Sequence, residues 1–94
     1  MTHKGARDLL DRTHLFPGSY TIKAIGAAVD DFVGRTVGTA RGVLQRTADV
    51  RYTVRTTPDG NHVSVTLDLE VVSADEVIQV YQALQVVKGM RFLL

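Results

Sequence analysis

The 94-residue sequence contains no cysteine and no tryptophan, only two prolines, and aromatic residues at just 6%. Without cysteine, disulfides, thiolate metal ligands and a cysteine nucleophile are all excluded. No apolar run approaches the ~20 residues of a membrane-crossing helix, and no apolar core follows Met1 as a signal peptide would require. The expected location is therefore the cytoplasm, away from any membrane. An excess of one charge is missing too: Lys and Arg number 11 against 10 Asp and Glu, leaving +1. That balance argues against a general affinity for nucleic acid.

What remains is the composition of one soluble domain, 45% apolar and 22% charged. Residues 1–15 are polar apart from Leu9-Leu10 and read as a flexible or partly helical amino-terminal arm, at most one helical turn. His3 and His14 lie in it, eleven positions apart, which is no metal-ligand spacing. Residues 16–94 read as a single domain.

A first strand runs from Pro17 to Gly26. Tyr20, Ile22 and Ala24 point to one face, Thr21, Lys23 and Ile25 to the other. Gly26 is expected to end it in a tight turn. A helix is predicted from about Val29 to Arg46, with Val29, Phe32, Val33, Thr36, Val37, Ala40, Val43 and Leu44 on one stripe. Asp30 and Asp31 fall in its first turn and Arg46 in its last, as the helix dipole favours. Gly34, Gly38 and Gly42 point nearly opposite that stripe. Each costs about 0.8–1 kcal/mol relative to alanine, so this face is a candidate interaction surface for a partner's backbone or the chain's own arm.

Residues 50–57 and 62–72 alternate around Pro58-Asp59-Gly60-Asn61, a strong hairpin signal. Centring the turn on Asp59-Gly60 pairs Val54 with Val65, Tyr52 with Leu67 and Val50 with Leu69 on one face. The other face pairs Arg55 with Ser64, Thr53 with Thr66 and Arg51 with Asp68. A slip of one residue would mix polar with apolar in both sets. Ser73-Ala74-Asp75-Glu76 is a capping box opening a helix with Val77, Val80, Tyr81 and Leu84 inward. A last strand, 89–94, sets Met90, Phe92 and Leu94 on one side against Arg91 and Leu93 on the other.

The order strand–helix–strand–strand–helix–strand, with right-handed crossovers, predicts an α+β fold. It is a ferredoxin-like βαββαβ sandwich, a four-stranded antiparallel sheet with two helices on one face. Tyr20, Ile22, Tyr52, Val54, Val65, Leu67, Leu69, Met90 and Phe92 should then meet the helices. Lys23, Asp68 and Arg51 should form a charged ladder on the open face, a second candidate interaction surface.

Such a fold hosts many activities, so each needs its own residues. RNA reading through the sheet needs exposed aromatics on the central strands, and none is expected there. An acylphosphatase-like reaction needs an arginine in the loop after the first strand, plus an orienting asparagine. Gly26-Ala27-Ala28-Val29 carries no cation, and Asn61, the only asparagine, lies in the hairpin turn. No catalytic residues, metal ligands or cofactor are predicted, and the domain is read as not an enzyme. Regulatory domains of the ACT type are similar in length and in a glycine after the first strand. That likeness implies a small-ligand site near Gly26, Ala27 and Ala28.

Phe16-Pro17, Ile22-Lys23 and Gly26, then Gly60-Asn61 with Ser64-Val65, Tyr81, Leu84 and the closing Met90-Arg91-Phe92-Leu93-Leu94 resemble, in order and spacing, the YbeD-like family. This resemblance covers residues 15–94. It implies small bacterial proteins of unknown function, a ferredoxin-like fold akin to ACT domains, and a suggested link to lipoate metabolism. It supplies no catalytic residues. The chain departs from the family in its longer amino-terminal arm and in Gly34, Gly38 and Gly42. Two functions follow as expectations: a small-molecule-sensing regulatory module that forms a homodimer, or a protein-interaction domain using the glycine-lined helix face or the open sheet face.

Overall fold

A computed structural model of the chain describes residues 4–29, 31–45 and 50–94. Its elements in order are α1 (Lys4–Thr13), β1 (Gly18–Ala27), α2 (Phe32–Leu44), β2 (Arg51–Thr56), β3 (His62–Val71), α3 (Ala74–Gln85) and β4 (Met90–Leu93). The strands form one antiparallel sheet in the order β2-β3-β1-β4, so β1 and β3 are central and β2 and β4 are edges. It is an α+β fold, with three helices among the described residues. The predicted Asp30 and Arg46 dipole partners lie outside the described residues.

Alternation builds the core. Ile22 and Ala24 from β1, and Val63, Val65, Leu67, Leu69 and Val71 from β3, are buried on one face of the sheet. Phe32, Val37 and Ala40 of α2 and Val77, Val80 and Leu84 of α3 close over them in a single cluster. The hairpin takes the predicted register from Arg51↔Asp68 to Val54↔Val65 and Arg55↔Ser64. Its turn is held by the Asp59 carboxylate, which accepts from the Thr57 hydroxyl and from Asn61 N at 2.9 Å, while Gly60 takes a φ of 76°. These bonds hold the Asp59 carboxyl below its ordinary range, the Thr57 bond most of all.

The predicted Ser73 cap forms as well, with the reciprocal Glu76 bond reaching one residue before the cap. Ser73 Oγ accepts from Glu76 N at 3.3 Å, and the Glu76 carboxylate accepts from Val72 N at 2.8 Å. Helix α2 starts later than predicted. Val29 lies before it, more than half exposed, and Asp31 is the cap, accepting from Gly34 N at 3.2 Å.

Three further expectations are corrected. The arm is a ten-residue helix, not a single turn. Leu10 packs against the core and Arg7 lies 3.6 Å from Asp75 at the start of α3. Tyr52 and Val54 point to the helix side as predicted but remain 44% and 46% exposed, because every residue of β2 is exposed. The third correction concerns β4. Ile25 pairs with Phe92 but Gly26 pairs with Met90, so Arg91 is the extra residue of a bulge. The bulge reverses the phase after Met90. Leu93 opposite Ala24 joins the core, while Phe92 is turned out beside Ile25, 64% exposed.

Candidate functional site

Gly26 does not make the turn predicted for it. It is buried within β1, where an added Cβ would overlap the Phe32 ring and lie 2.8 Å from the Gly89 carbonyl. Its lack of a side chain is used for packing. Ala27 N donates to Gly89 O and Ala28 N to Asn61 O, both at 3.0 Å, which fastens the end of β1 to β4 and to the hairpin turn. Of the three predicted ligand residues Gly26 is buried, Ala27 is half-buried and Ala28 is exposed. Ala28 lines a hollow of about 290 Å³ with Val29, Asp31, Phe32, Val33, Val54, Thr56 and Val63.

The glycine stripe divides in the same way. An added Cβ at Gly34 would collide with the Asp31 carboxylate, so that glycine belongs to the cap. Cβ atoms at Gly38 and Gly42 would meet nothing within 4 Å. The helical arm therefore does not cover them; it packs on α3. Gly38 borders a wide groove of about 670 Å³ shared with Thr39, Ala83, Val86 and Val87.

On the open face the rows across the sheet follow from the two registers. Arg51, Asp68 and Thr21 share one row, and Thr21 Oγ1 donates to Asp68 Oδ1 at 3.0 Å. The predicted ladder had Lys23 in that row. It stands instead in the next one, opposite Thr66, which in turn faces Thr53. The row after that is Arg55, Ser64, Ile25 and Phe92.

Lys23, Thr53, Arg55, Ser64 and Thr66 thus surround a cup of about 320 Å³ that also touches Val54. Two cations and three hydroxyls line it, and no carboxylate does. Hydroxyls and cationic nitrogens are the donors an anion needs. On the other side of Lys23 the surface is apolar, with Ile25, Phe92 and Leu94. Sequence reasoning puts Thr53, Arg55, Ser64 and Thr66 on the open face with Lys23 but selects Arg51 and Asp68 as its companions. The signal was available in the hairpin register, which sets Arg55 by Ser64 and Thr53 by Thr66, but the alignment of β1 against β3 was needed to bring Lys23 alongside.

A separate polar–aromatic knot lies on the helix side. Tyr20 and Tyr81 meet edge-on at 6.2 Å between ring centres, with their hydroxyls 3.4 Å apart. His14 rests 4.8 Å from the Tyr20 ring, and the Tyr81 hydroxyl also reaches Leu94 O at 3.4 Å. Burial first, and then the bond to Tyr20, pushes the Tyr81 phenol well above its ordinary range. His14 thus rests against this knot while staying exposed, and His3 lies outside the described residues. Among the described residues no group of three or more metal-binding side chains occurs, and no helix is long and apolar enough to cross a membrane.

A search of curated proteins finds no match for this chain. A family model described as a protein of unknown function (DUF493) matches residues 11–94. That span runs from the last turn of α1 through β4 and so takes in the hairpin, both long helices and the open-face cup. The chain therefore belongs to DUF493, the YbeD family.

Proposed function

We propose that this protein is a non-catalytic, cytoplasmic regulatory module of ferredoxin-like fold that binds a small anionic ligand in the cup on its open sheet face. The strand order β2-β3-β1-β4, with α2 following β1 and α3 following β3, supports the ferredoxin-like reading, α1 being an added element. The likeness to ACT regulatory domains supports a sensing role. One observation carries the choice of site: Lys23 and Arg55 converge with Thr53, Ser64 and Thr66 on one hollow whose lining includes no acid.

The ligand is a small carboxylate. Its head group would take the Lys23 and Arg55 charges and the hydroxyls, and an apolar tail would lie along Ile25 and Phe92. Two charge-assisted bonds at about 1.5–3 kcal/mol each correspond to affinities near the millimolar range. At ten times Kd, such a ligand stabilises the native state by about 1.4 kcal/mol, a rise of roughly 6–11 °C in Tm for a domain of this size.

The test is thermal unfolding of the full chain against amino acids, octanoate, lipoate and inorganic phosphate. A rise with a carboxylate, diminished by added salt and abolished by Lys23→Ala, supports the reading. No shift across the panel, or a shift that Lys23→Ala leaves intact, overturns it.

A further inference from the structure

Strand β2 is an edge, and all six of its residues are exposed. The phase of its hydrogen bonds can be read from one end. Thr57 N donates to His62 O at 2.9 Å, which makes Thr57 and His62 a directly bonded pair. In an antiparallel ladder such pairs alternate. Arg55, Thr53 and Arg51 therefore turn their backbone groups inward to β3. Tyr52, Val54 and Thr56 turn an N–H and a C=O each away from it, toward the open edge.

The same three residues carry their side chains on the helix side of the sheet, where Tyr52 and Val54 are nearly half exposed. Beside them is the hollow of about 290 Å³, lined by Val54, Thr56 and Val63 of the sheet and by Phe32 and Val33 of α2, with the Asp31 cap also on its border. The free backbone row and this largely aliphatic hollow thus face the same position, that of an absent fifth strand. On the opposite face, the only charges from Val50 to Thr57 are Arg51 and Arg55. Among the described residues neither forms an ion pair, although Arg51 is paired in register with Asp68.

We propose that β2 is the docking edge for an extended, acidic segment of another protein, which adds to the sheet as a fifth strand. Main-chain bonds to Tyr52, Val54 and Thr56 supply the attachment, and side-chain pockets at every second residue supply the choice of sequence. Apolar residues opposite Val54 and Thr56 enter the hollow, while the alternate residues set carboxylates beside Arg51 and Arg55. Charge decides between this occupant and a second copy of the chain. Two β2 strands side by side would gather four arginines into one seam, and like charges across strands are destabilising. An acidic strand offsets them. The proposal does not depend on the open-face ligand: Arg55 lines that cup as well, but Lys23, which the cup requires, lies two strands away from this edge.

The test uses the full chain and two fluorescent peptides, one of alternating glutamate and valine and one of alternating lysine and valine, in polarisation titrations. The acidic peptide is expected to bind at least tenfold more tightly, with hydrogen-exchange protection appearing at the amides of Tyr52, Val54 and Thr56. Val54→Pro removes one outward N–H at an edge position that tolerates proline, and should weaken binding tenfold or more with Tm nearly unchanged. The double variant Arg51→Glu and Arg55→Glu should reverse the preference to the lysine peptide, which decides the matter even if the proline variant fails to fold. Lys23→Ala should leave peptide binding within twofold, separating failure here from failure of the ligand reading. Equal or absent binding of both peptides overturns the proposal and leaves the arginines as guards against pairing. A dimer of the unmodified chain in sedimentation that the charge-reversed variant strengthens also overturns it, in favour of a second copy.

Discussion

Glycine is used for three different purposes here, and single substitutions separate them. Gly38 and Gly42 face open space, so alanine at either should raise stability by about 0.8–1 kcal/mol, read as a higher urea midpoint with an unchanged m-value. Gly34→Ala gains the same propensity but displaces the Asp31 carboxylate, and loss of a cap costs about 0.5–2 kcal/mol. Its net effect should fall between about +0.5 and −1.2 kcal/mol, below the gain at Gly38 or Gly42. Gly26→Ala forces a methyl into the Phe32 ring and should destabilise by about 1–3 kcal/mol. Spacing alone places Gly34, Gly38 and Gly42 on one helix face. What each would meet there depends on the cap geometry at Asp31, which a periodic pattern does not contain. Thr36 is a fourth test. It is fully buried and its hydroxyl lacks a partner among the described residues. Thr36→Val should therefore stabilise the fold by about 1 kcal/mol in the same measurement.

At the scale of elements, the best-specified unit is the hairpin, and its turn should be acid-sensitive. The Asp59 carboxyl is depressed in the native state, so its support is present above its unfolded pKa, about 3.9, and is lost as pH falls through the lower native value. Comparing the acid limb of stability for the natural chain and Asp59→Asn checks this; the variant should show a shallower loss. The Tyr81 phenol behaves oppositely. Its native pKa is raised, so its contribution is complete below about pH 10 and declines as pH climbs from there toward the native value. Tyr81→Phe should flatten the alkaline limb of the stability profile. Hairpin and capping box were legible because each is closed by contacts within a few residues, such as Thr57 to Asp59 or Ser73 to Glu76. Helix α1 was not. Its stripe is only Leu10 and a salt bridge from Arg7 to Asp75, and such exposed pairs contribute ~0–1 kcal/mol. A ten-residue helix of that kind is marginal in isolation and is held by α3, which lies sixty residues on.

For the whole molecule, the decisive feature is a sheet whose two faces and two edges differ. One face is closed by α2 and α3. The other carries cations and hydroxyls over β2, β3 and β1 and an apolar strip at Ile25, Phe92 and Leu94. Phe92→Ser on that strip should cost little stability, since the ring is 64% exposed, whereas Leu93→Ser, set opposite Ala24 and packed on the core, should destabilise by about 2 kcal/mol or more. Paired thermal melts would show it, and the reverse ranking would mean that β4 has no bulge. Strict alternation predicts that reverse ranking, because it places Phe92 in the core. It also leaves the open face without an aromatic. The structure puts one there, on an edge strand instead of the central strands a base-stacking surface would use.

Sequence by itself determined the α+β class, the central places of β1 and β3, the hairpin register and the inward stripes of α2 and α3. All of these follow from periods of 2 and 3.6 acting over adjacent residues, where a one-position error would bury charge. Only the tertiary structure decided that β2 is exposed along its whole length, where α1 packs and on which side Phe92 falls. It also decided that Lys23 shares a cup with Arg55 instead of a ladder with Asp68. Each of those depends on how one strand or helix is shifted against another, and a shift of that kind is a property of the assembled sheet, not of any one segment.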